Sequence, residues 1–300
     1  MIETRLQRRQ FLLAAASTLA AGSLFADENK ANNHKICVFT KPLQSLSYDE
    51  LADRIAEMGF DGIEATIRDS GHIEPKAVPD ELPKMVEALK KRKLEVTVMT
   101  SSINDPNHAL TAKQLQVAAS LGIKRYRMKY LRYNRDRPVF YQLKEWRPQM
   151  RDLAAMNKSL GMTAIYQNHA GRDFVGAPLW DLLYLLEGIP KEQVGIAYDI
   201  RHATVEGGNS WPVTFNAVRP KIDTVYVKDF NWVDRKPKNV PLGKGQVNVP
   251  EFFKLLAASK FSGPISLHEE YLDHRKPELV PDHLKAMKRD FATLLDLIRG

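Results

Sequence analysis

The sequence predicts an α/β protein in which eight parallel strands and their helices close into one (β/α)8 barrel, a TIM barrel, that forms a single domain. From Ile36 onward, short runs rich in β-branched residues alternate with amphipathic helical runs, which is typical of a parallel sheet with helical crossovers. Eight such units spread over residues 36–300 match the size of this barrel. Because no GxGxxG or Walker motif follows a strand, a nucleotide-binding doubly wound sheet is disfavoured.

The elements follow from these two periodicities in chain order. The predicted strands cover residues 36–40, 62–66, 94–100, 124–129, 162–168, 195–199, 224–229 and 264–269. The helices between them are predicted from apolar residues that recur on one face, as Leu51, Ala52, Ile55 and Ala56 do in the first. The predicted helices cover residues 48–58, 83–92, 113–121, 141–160, 178–186, 213–218, 250–259 and 281–298.

The composition is that of an ordinary globular protein. With 44% hydrophobic and 27% charged residues, it excludes collagen-like, disordered and multi-span membrane proteins. The single cysteine, Cys37, excludes an intramolecular disulfide and a Cys-based zinc cluster, so that a metal would be held by His, Asp, Glu or amide oxygens. The 44 basic and 36 acidic residues leave a net charge of +8 with no run of five or six like charges, which allows acidic partners without requiring them.

The N-terminal segment is predicted to be an export signal and not part of the barrel. Arg8 and Arg9 lead into an Ala- and Leu-rich stretch, a pattern that resembles a twin-arginine signal peptide over residues 1–26, with residues 27–35 as a polar linker. The stretch is shorter than the roughly 18 residues of a membrane span, so we expect a periplasmic, exported protein without a stable membrane anchor. A surface helix with a chance Arg pair is the alternative.

Polar side chains stand at the ends of the predicted strands, where a barrel of this type builds its active site. Because side chains alternate along a strand, Gln167 shares a face with Ile165, and Asp199 shares one with Ala197. If these faces point inward, one mouth of the barrel collects Gln167, Asp199, Tyr226, Lys228, His268 and Glu270.

Several of these segments resemble the xylose-isomerase-like barrel family of sugar epimerases and isomerases. The resemblance is carried by Asp199 with His202-Ala203, by the turn at 241–247, and by the segments around Glu64, Gln167, Lys228 and Ser266. Lys244 stands where the turn usually has Glu. The resemblance implies one divalent cation (Mn, Mg, Zn or Co), held by residues of strands five to eight, that polarises a ketose carbonyl while carboxylates move a proton.

The match to the family's metal ligands is partial. Asp199 stands at the Asp position, whereas Gln167, Tyr226 and His268 stand where relatives have Glu, His and Glu. An alternative set of two nitrogens and two carboxylates would combine His169, Asp199, His268 and Glu270. The sequence thus predicts metal binding by Asp199, His268, Gln167 and His169, against the alternative that the histidines contact the substrate through hydrogen bonds.

Proton abstraction next to a carbonyl would need a base and a group that stabilises the enediolate. Glu64 and Glu270 are predicted as bases on two faces of the substrate, and Lys228 as the stabilising cation or a further base. Cationic side chains such as Arg127, Lys129 and Arg172 could bind an anionic substituent. Predicted substrate contacts are His202, Arg127, Lys129, Asn168, Tyr226, Asp229, Trp211 and Trp232, although the two tryptophans would equally suit loop packing.

These residues predict a metal-assisted isomerase or epimerase that acts on a keto or hydroxy sugar through an enediolate. A lyase or hydratase acting by β-elimination on a keto-sugar, and a non-catalytic periplasmic sugar-binding barrel, are the alternatives. The expected partner is a small carbohydrate and not a nucleic acid, because the strand ends offer too few ligands for a three-metal endonuclease site. A homo-oligomer is compatible with the family.

Overall fold

The computed structural model describes residues 34–299 and confirms the predicted closed barrel as a single domain. Eight parallel strands close in the order β1-β10-β7-β6-β5-β4-β3-β2. The barrel strands are β1 (Ile36–Phe39), β2 (Gly62–Ile67), β3 (Glu95–Ser101), β4 (Arg125–Arg127), β5 (Thr163–Gln167), β6 (Val194–Asp199), β7 (Ile222–Val227) and β10 (Ile265–Leu267). Each corresponds to a strand predicted from the sequence, so the β-branched runs locate the barrel wall correctly.

Helices surround the barrel at nearly all the predicted positions. They are α1 (Tyr48–Met58), α2 (Val78–Lys91), α3 (Thr111–Ser120), α4 (Val139–Leu160), α5 (Trp180–Leu185), α6 (Ile200–Gly207), α7 (Trp211–Val218), α8 (Val249–Ala258) and α9 (Val280–Arg299). The first begins with a capping box, in which Ser47 and Glu50 satisfy each other's backbone N–H groups. No helix within residues 34–299 is long and apolar enough to cross a membrane.

Two elements lie outside the sequence-based prediction. Helix α6 begins directly after β6, because the Asp199 carboxylate accepts a hydrogen bond from the backbone N–H of His202 and caps the helix. An antiparallel hairpin, β8 (Asp229–Val233) with β9 (Lys236–Val240), follows β7. The polar composition of the hairpin lacks the β-branched signal that marks the barrel strands.

The interior of the barrel and the space under the helices form separate apolar clusters. A small inner cluster consists of Val98, Ile165, Ala197 and Tyr226, whereas the large cluster lies between the strands and the helices. Because side chains alternate along a strand, residues two positions further along β5, β6 and β7 also point inward. This parity sends Gln167, Asp199 and Lys228 to the C-terminal mouth of the barrel.

The predicted signal peptide at residues 1–26 and most of the predicted linker at 27–35 lie outside the described residues. Of that linker, only His34 and Lys35 are described, and Lys35 pairs with Glu95 at 2.6 Å. The export signal therefore stays a prediction.

Asp229 anchors the loop that closes the hairpin against the barrel. Its carboxylate accepts hydrogen bonds from the backbone N–H groups of Phe230, Gly243, Gly245 and Val247, at 2.8 to 3.1 Å. A Cβ atom on Gly245 would lie 2.2 Å from Asp229 Oδ1. The turn at 241–247, which carries part of the family resemblance, therefore wraps around the buried Asp229 carboxylate. At position 245, where the turn comes closest to this carboxylate, only glycine fits.

Replacing Gly245 with alanine should lower the free energy of unfolding by about 1–3 kcal/mol, because the new methyl group overpacks the loop. Gly207→Ala is the matched control, since its added Cβ atom would have no heavy atom closer than 3.7 Å. Urea unfolding followed by circular dichroism compares the two. Equal stability of both variants would contradict the close approach.

Candidate active site

The centre of the mouth is an ammonium group held between two carboxylates. Lys228, one residue beyond β7, places Nζ at 2.6 Å from Glu270 Oε2 and at 3.2 Å from Asp199 Oδ2. Lys228 and Asp199 are buried, and Glu270 is the most accessible of the three. The three side chains come from β6, β7 and β10, which are neighbours in the barrel, so the fold brings them together at one edge.

Lys228 and Glu270 are both charged. Burial alone would lower the pKa of Lys228, but the Asp199 and Glu270 carboxylates raise it above its ordinary value. Burial likewise opposes ionisation of Glu270, yet Lys228 and His268 hold its pKa well below the usual range. The mouth therefore carries a permanent cation beside a permanent anion.

Gln167 links this centre to the opposite wall. Its amide oxygen accepts hydrogen bonds from the Arg127 guanidinium at 2.5 Å and from the Tyr130 hydroxyl. Because a guanidinium can only donate, the amide nitrogen must face the other way, where it donates to Asp199 Oδ2 at 2.7 Å. Gln167 therefore presents a hydrogen-bond donor to Asp199 and has no free oxygen for a cation.

The predicted metal ligands do not form a metal site. No group of three or more His, Cys, Asp and Glu side chains within residues 34–299 is arranged to hold a metal ion. His268 Nε2 lies 2.9 Å from Glu64 Oε2, and the oxygen of Gln167 is bound to Arg127. Asp199 Oδ2 already accepts from Gln167 and pairs with Lys228. The donor set does not fit a divalent cation, because the ammonium of Lys228 already lies between the two carboxylates and pairs with both.

Glu64 lies inside the barrel below the mouth. Its oxygens accept hydrogen bonds from Thr100 at 2.6 Å, Tyr226 at 3.0 Å and Ser266 at 2.7 Å, in addition to the contact with His268. Burial would raise its pKa, but His268, Arg127 and Thr100 together lower the pKa to about 2. Since all these partners bind the anion, Glu64 positions His268 instead of facing the substrate, which corrects its expected place on the rim.

His169 and His202 form a pair of neutral imidazoles beside Asp199. Their ring centroids are 4.0 Å apart. Burial and the nearby Lys228 lower the pKa of His169 to about 4, and the same two causes lower the pKa of His202. His169 Nδ1 lies 2.9 Å from the carbonyl oxygen of Ala170 and must donate to it, so Nε2 carries a free lone pair.

Several predicted substrate contacts lie behind the wall of the mouth. Asn168 holds the backbone of Asp199 through two hydrogen bonds, at 2.7 and 3.0 Å. Tyr226 is fully buried against the His268 ring, and Trp211, the first residue of α7, packs against Phe252 of α8. Asp229 is occupied by the hairpin loop, as described above. These four side chains position the site without reaching the cavity.

A deep pocket of about 180 Å³ opens above Lys228 and meets a wider cleft of about 700 Å³ along the rim. The predicted residues Arg127, Gln167, His169, Lys228 and Glu270 line the pocket, whereas Lys129 lines the cleft and not the pocket. Trp232 is 46% exposed on the hairpin and lines neither cavity. The structure adds Phe39, Lys41, Arg68 and Tyr130 to the pocket. Their position in the sequence could have identified these residues, since each lies at the end of a predicted strand or within two residues of it.

Comparisons with known proteins agree with the fold. The family model described as Xylose isomerase-like TIM barrel matches residues 52–290. The chain superposes on a xylose isomerase domain protein from Planctomyces limnophilus with a TM-score of 0.67 at 14% identity, covering 88% of this chain and 97% of that one. No curated protein matches the sequence significantly.

Two further solved structures carry an activity in their names. A 3-keto-D-glucoside 4-epimerase from E. coli superposes with a TM-score of 0.64 at 19% identity, covering 86% of this chain and 99% of that one. A probable 3-DHS dehydratase from Bacillus anthracis superposes with a TM-score of 0.65 at 17% identity, covering 84% and 98%. At these identities the likeness establishes the fold alone.

Glu64→Gln should lower the free energy of unfolding at pH 7 by about 3–5 kcal/mol, because it leaves His268 and Arg127 without their buried counter-charge. The folded-state pKa of about 2 lies below the ordinary value of 4.5, so the contribution of Glu64 is complete above pH 4.5 and is lost as the pH falls towards 2. The difference in the free energy of unfolding between wild type and variant should therefore become smaller at acidic pH.

Urea unfolding at pH 7 and pH 3 measures this difference. The control is Glu57→Gln, whose exposed pair with Arg54 at 3.1 Å should contribute less than about 1 kcal/mol at either pH. A difference for Glu64→Gln that stays constant with pH would contradict the assigned ionisation.

Proposed function

We propose that this chain, which belongs to the xylose isomerase-like TIM barrel family, is a sugar isomerase or epimerase that removes a proton next to a carbonyl group without a divalent metal. The observation that carries this proposal is the position of Lys228 Nζ between Asp199 and Glu270, at 3.2 and 2.6 Å. The ammonium stands where the family resemblance implies a cation. It would therefore supply the positive charge that an enediolate requires.

Lys228 would donate a hydrogen bond to the carbonyl oxygen of a keto sugar bound in the deep pocket. As the neighbouring C–H bond breaks, negative charge builds up on that oxygen, and a fixed ammonium stabilises it. The raised pKa of Lys228 keeps the group protonated at neutral pH, which suits an electrostatic role and not that of a base.

Two acceptors in the pocket could take the proton. Glu270 follows β10 and His169 follows β5, which lie three strands apart in the ring of eight, so the two groups approach the substrate from different sides. As the developing enediolate attracts the charge of Lys228, the pull of this ammonium on the Glu270 carboxylate weakens and Glu270 becomes a stronger base. Abstraction by one group and return by the other would invert a carbon centre, and return to the neighbouring carbon would isomerise the sugar.

β-Elimination on a keto-sugar shares the first step of this reaction and remains the second candidate. It is favoured by the Tyr130 hydroxyl, which lines the pocket and could protonate a departing hydroxyl group. The names of the two structural neighbours, an epimerase and a probable dehydratase, support either outcome on this scaffold. The third candidate function is a barrel that binds a sugar without catalysing a reaction.

We further propose that the protein is exported, on the strength of Arg8-Arg9 and the apolar stretch that follows. Substituting both arginines by lysine should retain the protein in the cytoplasm of its producing cell, because the export receptor reads the arginine pair. Fractionation and immunoblotting measure this retention, with the exposed pair Lys90 and Lys91, changed to arginine, as the control. Unchanged export of the double variant would contradict the signal.

Incubating the protein with ketoses in deuterated buffer should place solvent deuterium next to the carbonyl group, as followed by NMR. Lys228→Met should reduce the exchange by about a hundredfold or more, and Glu270→Gln or His169→Gln should reduce it strongly as well. A chelator should leave the rate unchanged, since no step passes through a metal. The rate should rise with pH through the pKa of His169, which is about 4, and level off above pH 6.

Lys113→Met, at an exposed position on α3, is the control that removes a lysine away from the pocket. Loss of a hydroxyl as water, seen as a new unsaturated product, would identify the lyase. Sugar binding without exchange would identify the binding barrel. Loss of activity with a chelator and its recovery with Mn²⁺ would overturn the metal-free mechanism.

A further inference from the structure

Two cationic side chains without partners face the cavity at the mouth. Lys41 follows β1 and Arg68 follows β2, and these strands are neighbours in the barrel. Both side chains line the deep pocket as well as the wider cleft. Within residues 34–299 neither side chain makes a hydrogen bond or an ion pair, and Arg68 only approaches the Phe39 ring, at 6.0 Å from its centroid.

This arrangement of charges is electrostatically unfavourable by itself. Both side chains are half-buried, and burial is the largest cause that lowers the pKa of each. Arg127 lies close to both and adds repulsion, since its guanidinium stands 5.3 Å from the centroid of the same Phe39 ring. Like charges that lie close together in a partly desolvated cleft favour the binding of an anion. The anion would offset both the loss of solvation and the repulsion between the cations.

The acidic groups of the cavity compensate these charges only in part, since Glu270 attracts both cations without pairing with either. Glu270 is the acidic residue lining the deep pocket, and Lys228 already pairs with it at 2.6 Å. Asp69 lines the wider cleft, where its carboxylate accepts a hydrogen bond from Ser102 at 2.9 Å. Lys129 adds a further exposed cation to the cleft. The rim beside β1 and β2 is therefore in positive excess.

We propose that Lys41 and Arg68 bind an oxyanion carried by the sugar, either a carboxylate or a phosphate group. This inference rests on the proposed function, because it assumes that the reacting carbons lie at Lys228 and Glu270. The substrate would then extend from the deep pocket towards the cleft, with its anionic end between β1 and β2. Arg and Lys suit this role, since a guanidinium binds oxyanions through two parallel hydrogen bonds and an ammonium adds a point charge.

The two ends of the substrate would be distinguished by charge. At the reacting end Lys228 is neutralised by Asp199 and Glu270, so this end accepts an uncharged carbonyl group that becomes negative only during the reaction. At the other end Lys41 and Arg68 carry charge that is compensated only in part before the substrate arrives. A neutral sugar would leave these two cations desolvated and unpaired, so the site discriminates against it.

Isothermal titration calorimetry with the full chain tests this without requiring turnover. The probes are D-glucuronate, D-glucose 6-phosphate and neutral D-glucose, at low and high salt. At least one of the two anionic probes should bind about tenfold or more tightly than glucose, and added salt should weaken it. The tighter of the two identifies carboxylate or phosphate as the preferred group.

Lys41→Met and Arg68→Met should each reduce the affinity for the anionic probe by about tenfold and leave that for glucose unchanged. Arg68→Lys should retain part of the affinity, and Lys113→Met should retain all of it. Equal affinity for the charged and neutral probes, or no loss in Lys41→Met and Arg68→Met, would overturn the proposal.

The outcome is separable from that of the proposed function. Anion-selective binding without solvent exchange would leave the subsite standing and contradict the enzymatic role. Solvent exchange on ketoses together with equal affinity for the charged and neutral probes would do the reverse.

Discussion

The ion triplet of Asp199, Lys228 and Glu270 is the interaction on which the rest of the site depends. Two carboxylates this close to each other could not both ionise in a buried mouth without a cation between them. The ammonium of Lys228 meets that requirement at 3.2 and 2.6 Å from their oxygens. The hydrogen bonds of the neighbouring groups are consistent with a monovalent cation at this position, which is part of the chain and cannot dissociate.

The hydrogen-bond network around the ion triplet shows this consistency. Gln167 donates a hydrogen bond from its amide nitrogen to Asp199. A carboxylate at the same position could not donate this hydrogen bond. Arg127 and Tyr130 bind the opposite side of the amide and hold it there. Below them, Glu64 fixes His268 at 2.9 Å, so that a second buried pair supports the first. A metal site would instead need its donor oxygens free of such partners.

The sequence was sufficient to predict the barrel because its strands carry a strong periodic signal that depends on each segment alone. It also predicted the inward parity of Gln167, Asp199 and Lys228, since alternation along a strand is geometric. Partner choice could not be read in this way. Whether Lys228 binds Asp199, or Asn168 turns away to hold the backbone, depends on distances between strands that are far apart in the chain. The hairpin at 229–240 was missed because its stability comes from contacts such as the Asp229 clamp and not from its own composition.

A single ammonium supplies less positive charge than a divalent ion, so a reaction that passes through an enediolate needs further cations nearby. Arg127, Lys41 and Arg68 line the same pocket as Lys228 and extend the positive field beyond the triplet. In a partly desolvated pocket, such charges act over longer distances than they would in bulk water. The surplus at β1 and β2 can therefore serve twice, in holding an anionic end of the substrate and in lowering the energy of charge that develops at the other end. On this argument, the unpaired cations at β1 and β2 add to the charge that Lys228 supplies at the reacting end.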